Sequence, residues 1–554
     1  MPSCCHPTRR EVLKWGALVA ATPLLSALAD PERAYGMTRR VAGNPALPIN
    51  LELVTVTETS AVLTWFTGDP TRIDGMGRLA PMPTDTEVLL GTSPLGLRTV
   101  VHDPAPTPYH YVELTGLEPG ATYWFVARSG GLPAVPSVST LGSPLGTSTL
   151  DVFPAGPFVF TTPHPPPGRY LFSIALCNDL HLGETVAGLI TTQGGVQIPP
   201  GITQVPGEPP YSQVMAAALA PEAHARGAHL LLAAGDISSE AGQVDVAHAK
   251  AYLDAFGHHT ADYHVTRGNH DRPHTGHPGE TCRPVPGAAG YHDCFGEAFF
   301  PTGRTWFSRE AFGLRILGLD TYDKIGSGGD NGVMSAPQEA FVRDELRRDP
   351  DRPTLVFGHH PVSLESNITT LEPLIFDLDP SQAQRLEALY DKAPGVFLHH
   401  AGHTHRNKRT VGLTATNVVF QEVAAVKEYP GGFHLLRVFT GGYALNFYKF
   451  RSTMAQEWAE RSRQEFGGVS PFYAFGNAAD RNSVVVRDLS GLEVPTVHPA
   501  APTPTTTTTT TTTQGETTLP DTGGSSDRAL VGGVALSAAL AAEHWLRRTA
   551  RDRP

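Results

Sequence analysis

Along residues 48–163 apolar and polar positions alternate in short runs. Leu51 and Leu53 lead into Thr55. Ala61–Phe66, Glu87–Leu90, Tyr111–Leu114, Tyr123–Ala127 and Gly156–Thr161 follow, with Gly116, Pro119 and Gly120 among the breaks. Period-two runs punctuated by Gly and Pro predict short, half-buried strands packed as an all-β sandwich. From about residue 168 the pattern changes. Tyr170–Leu176, His229–Ala234, Leu314–Leu319, Thr354–Phe357 and Gly395–Leu398 are apolar almost throughout, as strands buried on both faces are. Helical periods over Ser212–Gly227, Val244–Phe256 and Pro337–Arg348, the last after Ser335, lie between them. Strands alternating with helices predict an α/β domain over 164–455. Val418–Glu422 and Gly432–Arg451 read as its closing strands, and Ala455–Phe466 as a helix opening a C-terminal extension over 456–500. The fold class expected is therefore multidomain, an all-β sandwich followed by an α/β domain.

Composition narrows the function classes. Of 554 residues 40% are hydrophobic, enough for a sizeable core. No internal apolar run reaches the ~18 residues of a membrane span, which excludes a polytopic membrane protein. The net charge is −12. Residues 1–29 and 523–554 each carry a net +2, so the chain without them carries −16. So acidic a chain is a poor match to backbone-bound nucleic acid, and no nucleic-acid partner is expected.

The two ends read as addresses. Thr8-Arg9-Arg10-Glu11-Val12-Leu13-Lys14, an apolar stretch from Trp15 and the small residues Ala27-Leu28-Ala29 form a secretory signal over 1–29. The paired arginines resemble a twin-arginine export signal, which implies the twin-arginine translocase as a partner. A linker over 30–47 follows. Near the other end, nine threonines at 505–513, flanked by Pro502 and Pro504, predict an extended stalk over 501–518. Leu519-Pro520-Asp521-Thr522-Gly523, a short apolar stretch and a basic tail over 519–554 resemble a sortase sorting signal (LPxTG). That resemblance implies cleavage between Thr522 and Gly523 and anchoring by sortase to the peptidoglycan of a Gram-positive cell wall. Cys282 and Cys294, 12 apart in a Gly/Pro-rich loop, are candidates for a disulfide in an exported protein; Cys177 reads as a buried thiol.

Five short motifs follow the apolar strands. They are Asp179-Leu180-His181, Gly235-Asp236, Gly268-Asn269-His270-Asp271, Gly358-His359-His360-Pro361 and Gly402-His403-Thr404-His405. Ligands on neighbouring strand-end loops converge on one rim of a sheet. Two carboxylates, an amide oxygen and at least four imidazoles suit two adjacent transition-metal ions, with Asp236 as the shared carboxylate. Such a pair clamps the attacking and leaving oxygens of an in-line displacement at phosphorus and lowers the pKa of a shared water toward neutrality. Iron, manganese and zinc all accept these donors.

In this order the motifs resemble the calcineurin-like metallophosphoesterase superfamily over roughly residues 168–450. The resemblance implies an αββα sandwich, with Asp179, His181 and His405 on the first metal, Asn269, His359 and His403 on the second, and Asp236 bridging. It makes His270 a catalytic residue that is not a ligand, giving a proton to the leaving oxygen or stabilising the transition state, with Asp271 orienting it. His360, Arg272, His274, Tyr322 and Arg406 are candidate substrate contacts; His399 and His400 read as structural. The Leu117-x-Pro119 segment before Tyr123 resembles the tyrosine corner of fibronectin type III domains, a module that precedes the catalytic domain in purple acid phosphatases. Those enzymes carry glycine where this chain has His181 and tyrosine where it has Ser239, so a purple iron–tyrosinate colour is not expected. Together these features predict a secreted, wall-anchored phosphoesterase, a phosphatase acting on small-molecule phosphate esters. A phosphodiesterase acting on nucleotides or lipid headgroups is the alternative within the class. A surface adhesin with a structural metal site is the alternative outside it. Glu184–Pro210, a Gly/Pro-rich insertion after the first motif, is a candidate lid.

Overall fold

The computed structural model describes residues 46–495, apart from 75–77, 143–147, 153–155, 189–190, 194–195, 199–200, 277–278, 326–328, 371–375 and 466–469. The signal, the stalk and the sorting signal with Thr522 and Gly523 lie outside the described residues, as do most of the linker and parts of the 184–210 insertion. Among the described residues no helix is long and apolar enough to cross a membrane.

The N-terminal part is strand-rich, as its alternation predicts. Leu47–Val56, Ser60–Ile73, Leu79–Pro81 and Tyr109–Thr115 form one sheet. Thr84–Gly91, Arg98–Thr107, Thr122–Ser129, Leu132–Pro133 and Phe158–Thr161 form a second. Alternate side chains of both, among them Leu63, Trp65, Val88, Val112, Phe125 and Phe160, share a core. The Trp65 indole donates to Ser129 Oγ at 2.7 Å and stacks on His110. The Tyr123 hydroxyl accepts the Glu118 N–H at 2.9 Å and pins the turn that the Leu117-x-Pro119 segment announces. Arg98–Thr107 has no apolar alternation to reveal it. It is an edge strand, mostly exposed, and it carries Pro104 and Pro106.

The second part is built on two six-stranded sheets. In one, Tyr170–Cys177 pairs in parallel with Leu230–Ala234, which pairs in parallel with Tyr263–Thr266. On its other side it pairs antiparallel with Gly432–Phe439, and Gly442–Lys449 and Asn482–Val486 complete the sheet. In the other, Leu314–Leu319, Thr354–Gly358, Val396–Ala401 and Val419–Glu422 run parallel, with Phe307–Ala311 and Lys408–Val411 antiparallel at the edges. Within the second sheet, Ile316, Leu355, Phe357, Phe397 and Leu398 pack into the same core as Phe172, Ile174 and Leu436 of the first. Their sequence neighbours Leu317, Leu319, Val356 and Val396 pack instead with Val342 and Leu346 of helix Ala336–Arg348 and with Leu386 and Tyr390 of helix Pro380–Asp391. Burial on both faces is why these strands read as unbroken apolar runs. Helices Tyr211–Ala225 and Gln243–Asp254 contribute Met215, Leu219, Val246 and Ala249 to the first sheet's side. Helices and sheets thus form the αββα order.

The two parts are tied by buried and half-buried polar contacts. Glu52 of the first strand accepts from Lys449 Nζ at 2.9 Å, from the Tyr429 hydroxyl at 2.6 Å and from the Arg463 guanidinium. Arg437 grips Glu58 through two bonds of 2.6 and 2.7 Å, and Arg226 reaches Glu113 and Tyr111. Cys282 and Cys294 form a disulfide with Cα atoms 5.0 Å apart, and Cys177 is a buried thiol.

Candidate metal centre and active site

Each of the five motifs begins where a strand of the two sheets ends, so their side chains gather over the same edge. The turns are tight. Asp179, His181, Asp236, His403 and His405 all sit in the left-handed region, with φ between 45° and 68°. Non-glycine residues adopt this conformation rarely, and clusters of it mark functional sites. The glycines beside them allow close approach. A Cβ on Gly268 would lie 2.1 Å from Asp236 Oδ1, and one on Gly235 (φ 80°) would lie 2.8 Å from the His359 Cβ.

The carboxylates of Asp179 and Asp236 are the axis of the site. Asp179 Oδ1 lies 3.3 Å from His405 Nε2, 3.6 Å from His181 Nε2 and 3.9 Å from His359 Nε2. Asp236 Oδ2 lies 3.0 Å from His359 Nε2 and 3.5 Å from His181 Nε2. Asn269 Oδ1 is 3.0 Å from His359 Nε2, and the Asn269 amide nitrogen points to Asp330. Potential donor atoms of Asp179, His181 and His405 lie within 4.8 Å of one another, and so do those of Asp236, His359 and His403 and those of His181, Asp236 and His270. All seven residues that the motifs single out are therefore brought together. Asp179 Oδ1 and His181 Nε2 are buried and lack any hydrogen-bond partner. A buried carboxylate oxygen and a buried imidazole nitrogen left bare and facing one another fit cations.

The outer nitrogens of the rings fix their orientation. His359 Nδ1–H donates to the Ala234 carbonyl at 2.8 Å, and His403 Nε2–H to the Phe376 carbonyl at 2.8 Å. His405 Nδ1–H donates to Glu428 at 2.6 Å. His181 Nδ1 faces Glu184 at 3.1 Å. Glu184 and Glu428 escape a motif search because they belong to no spacing rule. Glu184 opens the insertion after Asp179-Leu180-His181, and Glu428 follows the strand Val419–Glu422.

Electrostatics follow from burial opposed by neighbours. Burial favours the neutral Asp179 carboxyl, yet the facing His405, His181 and His359 rings hold it well below the usual range. Asp236 is lowered in the same way by His359 and His270. Burial pushes His359 down, but Asp236 and Asp179 lift it to about 9. His405 is lifted to about 10 by Asp179 and Glu428 against the same burial. His403, buried without a carboxylate at its outer nitrogen, falls to about 3.

His270 stands beside this cluster. Its ring centroid is 4.6 Å from that of His181, and its side chain keeps 31% of its exposure. Nδ1–H donates to the Ser239 carbonyl at 2.5 Å, and the backbone N–H donates to Asp236 Oδ1 at 2.8 Å. Asp271 does not orient His270, contrary to expectation. Its carboxylate accepts from Ile237 N, Ser238 N, Ser238 Oγ and Gly268 N at 2.7–3.2 Å, and so holds together the loops that carry Asp236 and Asn269. The Ser239 carbonyl fixes the His270 ring instead.

The expected substrate contacts are mostly engaged elsewhere. His360 is fully buried, with Nδ1 on Thr321 Oγ1 and Nε2 on the Asp330 carbonyl. Arg406 is buried against Glu422, Ser366 and Thr369. Tyr322 is buried and donates to the Gly329 carbonyl. These three are interior groups because each tip finds a protein partner before it reaches the rim. His274 pairs with Glu280 at 2.9 Å. Arg272 braces the Asn269 carbonyl and pairs with Glu240. His399 and His400 are buried and structural, on Tyr390 and on the Cys177 carbonyl.

Residues 172–407 match the family model described as calcineurin-like phosphoesterase. No curated protein matches the chain in sequence. Among solved structures, the chain is similar to a purple acid phosphatase from yellow lupin (Lupinus luteus) seeds, with 16% identity, 83% of this chain and 78% of that one covered, and a TM-score of 0.34. It is similar to a dimetal phosphatase from Danio rerio, with 14% identity, coverages of 50% and 96%, and a TM-score of 0.38. It is also similar to a 5′-nucleotidase from Candida albicans, with 13% identity, coverages of 57% and 56%, and a TM-score of 0.30. The chain carries a calcineurin-like metallophosphoesterase domain and is, through it, a metal-dependent phosphoester hydrolase.

Proposed function

We propose that this protein is an exported phosphatase that removes phosphate from small esters at a two-metal centre. One observation carries the reading: Asp179, His181 and His405 meet Asn269, His359 and His403 around Asp236, with the inward Asp179 Oδ1 and His181 Nε2 bare and buried. Bound there, two ions supply Lewis-acid polarisation of the phosphoryl oxygens and a water acidic enough to react near neutral pH. The chain's own groups do the rest. Asp236 holds both halves of the site at one spacing. Asp271 keeps the Asp236 and Asn269 loops in register through four donors. His270, with Nδ1–H committed to Ser239, would give the leaving oxygen a proton from Nε2 in its cationic form; burial pushes the ring below its ordinary value, and the Asp236 carboxylate is the neighbour that favours that form.

A phosphodiester substrate is the second reading, and one observation favours it. Among the described residues the expected phosphate-binding groups are already engaged, Arg406 with Glu422, Arg272 with Glu240, and His360 through both nitrogens. A monoester dianion carries one charge more than a diester, and these groups offer it little compensation. Hydrolysis of a chromogenic phosphomonoester and of its bis-ester, compared from pH 5 to 9, decides between the two. A monoester preference supports the phosphatase, a diester preference the phosphodiesterase, and hydrolysis of neither favours an adhesin with a structural metal site.

The Arg9-Arg10 leader and the Leu519–Gly523 pentapeptide support export and attachment to a Gram-positive wall, and the Cys282–Cys294 disulfide accords with an oxidising compartment. The Tyr123–Glu118 bond supports reading the N-terminal part as fibronectin type III-like. Its buried contacts with the catalytic part suit a wall of the enzyme better than a free binding module.

A further inference from the structure

The two halves of the centre are supported differently. On the Asn269 side the rings lean on backbone carbonyls, His359 on Ala234 and His403 on Phe376. On the Asp179 side both rings lean on carboxylates, His181 on Glu184 and His405 on Glu428. A single buried lysine joins those supports. Lys427 Nζ donates to Glu184 at 2.5 and 2.8 Å and lies 3.4 Å from Glu428. Its backbone N–H donates to the Asp179 carbonyl at 3.1 Å. Its own carbonyl accepts the Trp458 indole N–H at 2.7 Å, which fixes Lys427 against helix Thr453–Ser462. All three ligands of the Asp179 side thus connect through one residue, and none of Asn269, His359 and His403 does.

Resting on the two-metal reading above, we propose that Lys427 is a positioning residue for the Asp179 side. It holds Glu184 and Glu428 so that His181 and His405 stay aimed at one ion, and that side keeps its metal more tightly than the Asn269 side. Removing a partner of a ligating histidine costs roughly 10–100-fold in metal affinity.

The test reads metal, not turnover. The full chain is loaded with zinc alone and dialysed against increasing chelator, and bound zinc per chain is measured at each step. The wild type is expected to lose its two ions in separate steps. Lys427→Met is expected to shift the later step by roughly 10–100-fold toward the earlier one and leave the earlier one in place. Glu184→Gln, which keeps the side chain's shape, is expected to shift the same step if Lys427→Met does not fold. Lys427→Arg is expected to restore most of the separation. A later step unmoved in folded variants, or both steps moved equally, overturns the proposal and leaves the two-metal reading standing. A wild type that binds no zinc overturns both.

Discussion

His359 Nε2 lies 3.0 Å from the Asp236 carboxylate while its Nδ1–H is committed to the Ala234 carbonyl at 2.8 Å. Without metal, a proton on this imidazole is held by the facing carboxylate. That is why His359 rises from 6.5 to about 9 in spite of burial. His405, between Asp179 and Glu428, rises to about 10.

The first prediction is a pH dependence of stability in the metal-free protein. A histidine raised on folding contributes stability that is full below its unfolded value near 6.5 and is lost as pH rises through its folded value. The window is therefore pH 6.5 to about 10, and the loss from His359 alone is of order 3 kcal/mol. Thermal unfolding with chelator should show the midpoint falling from pH 7 to 10. With metal bound the protons are already displaced, and the fall should be much smaller.

His270→Asn should separate chemistry from metal binding. A donor atom of His270 lies within 4.8 Å of those of His181 and Asp236, but Nδ1 is committed to the Ser239 carbonyl and the side chain keeps access to solvent. Turnover is expected to fall by roughly 10²–10⁴-fold, with metal content unchanged. Equal loss of metal and activity would give His270 a structural role.

Asp271→Ala should behave differently. It strips acceptors from Ile237 N, Ser238 N and Gly268 N inside the fold. The expected cost is about 3 kcal/mol, with metal content falling as the Asp236 and Asn269 loops lose register. Calorimetry and metal analysis on the same sample check both.

Glu52→Gln tests whether sandwich and catalytic part unfold as one. Burial opposes the Glu52 charge, but Lys449 and Arg463 hold the carboxyl at about 2. A lowered acid contributes stability that is full above its unfolded value near 4.5 and is lost as pH falls through about 2. Breaking such a buried pair leaves its partners uncompensated and costs roughly 3–5 kcal/mol at pH 7. The wild type should unfold in one transition, and the variant at lower temperature.

Much of this was legible in the sequence because two periodicities differ. Alternation over 48–163 exposed the half-buried strands, and unbroken apolar runs marked Thr354–Gly358 and Val396–Ala401, which are buried on both faces. The candidate ligands could be picked out because each sits in a short motif at a strand end, and the structure brings their donor atoms together. What escaped was held by contacts distant in sequence. Lys427, Glu428 and Glu184 matter only through a network closed in three dimensions. Arg406 and His360 neighbour true motif residues, yet their tips turn inward to Glu422 and Thr321. Adjacency in sequence did not predict direction, because the partners that draw these tips inward, Thr321 and the Asp330 carbonyl for His360 and Glu422 for Arg406, are distant in sequence.

The most direct measurement strips the purified full chain of metal and titrates zinc back while ester hydrolysis is followed. No turnover is expected without metal; turnover should appear as two ions bind per chain, and Asp236→Asn should lose both binding and turnover. Undiminished hydrolysis by the metal-free protein, or none by the protein with both ions bound, would contradict the two-metal reading.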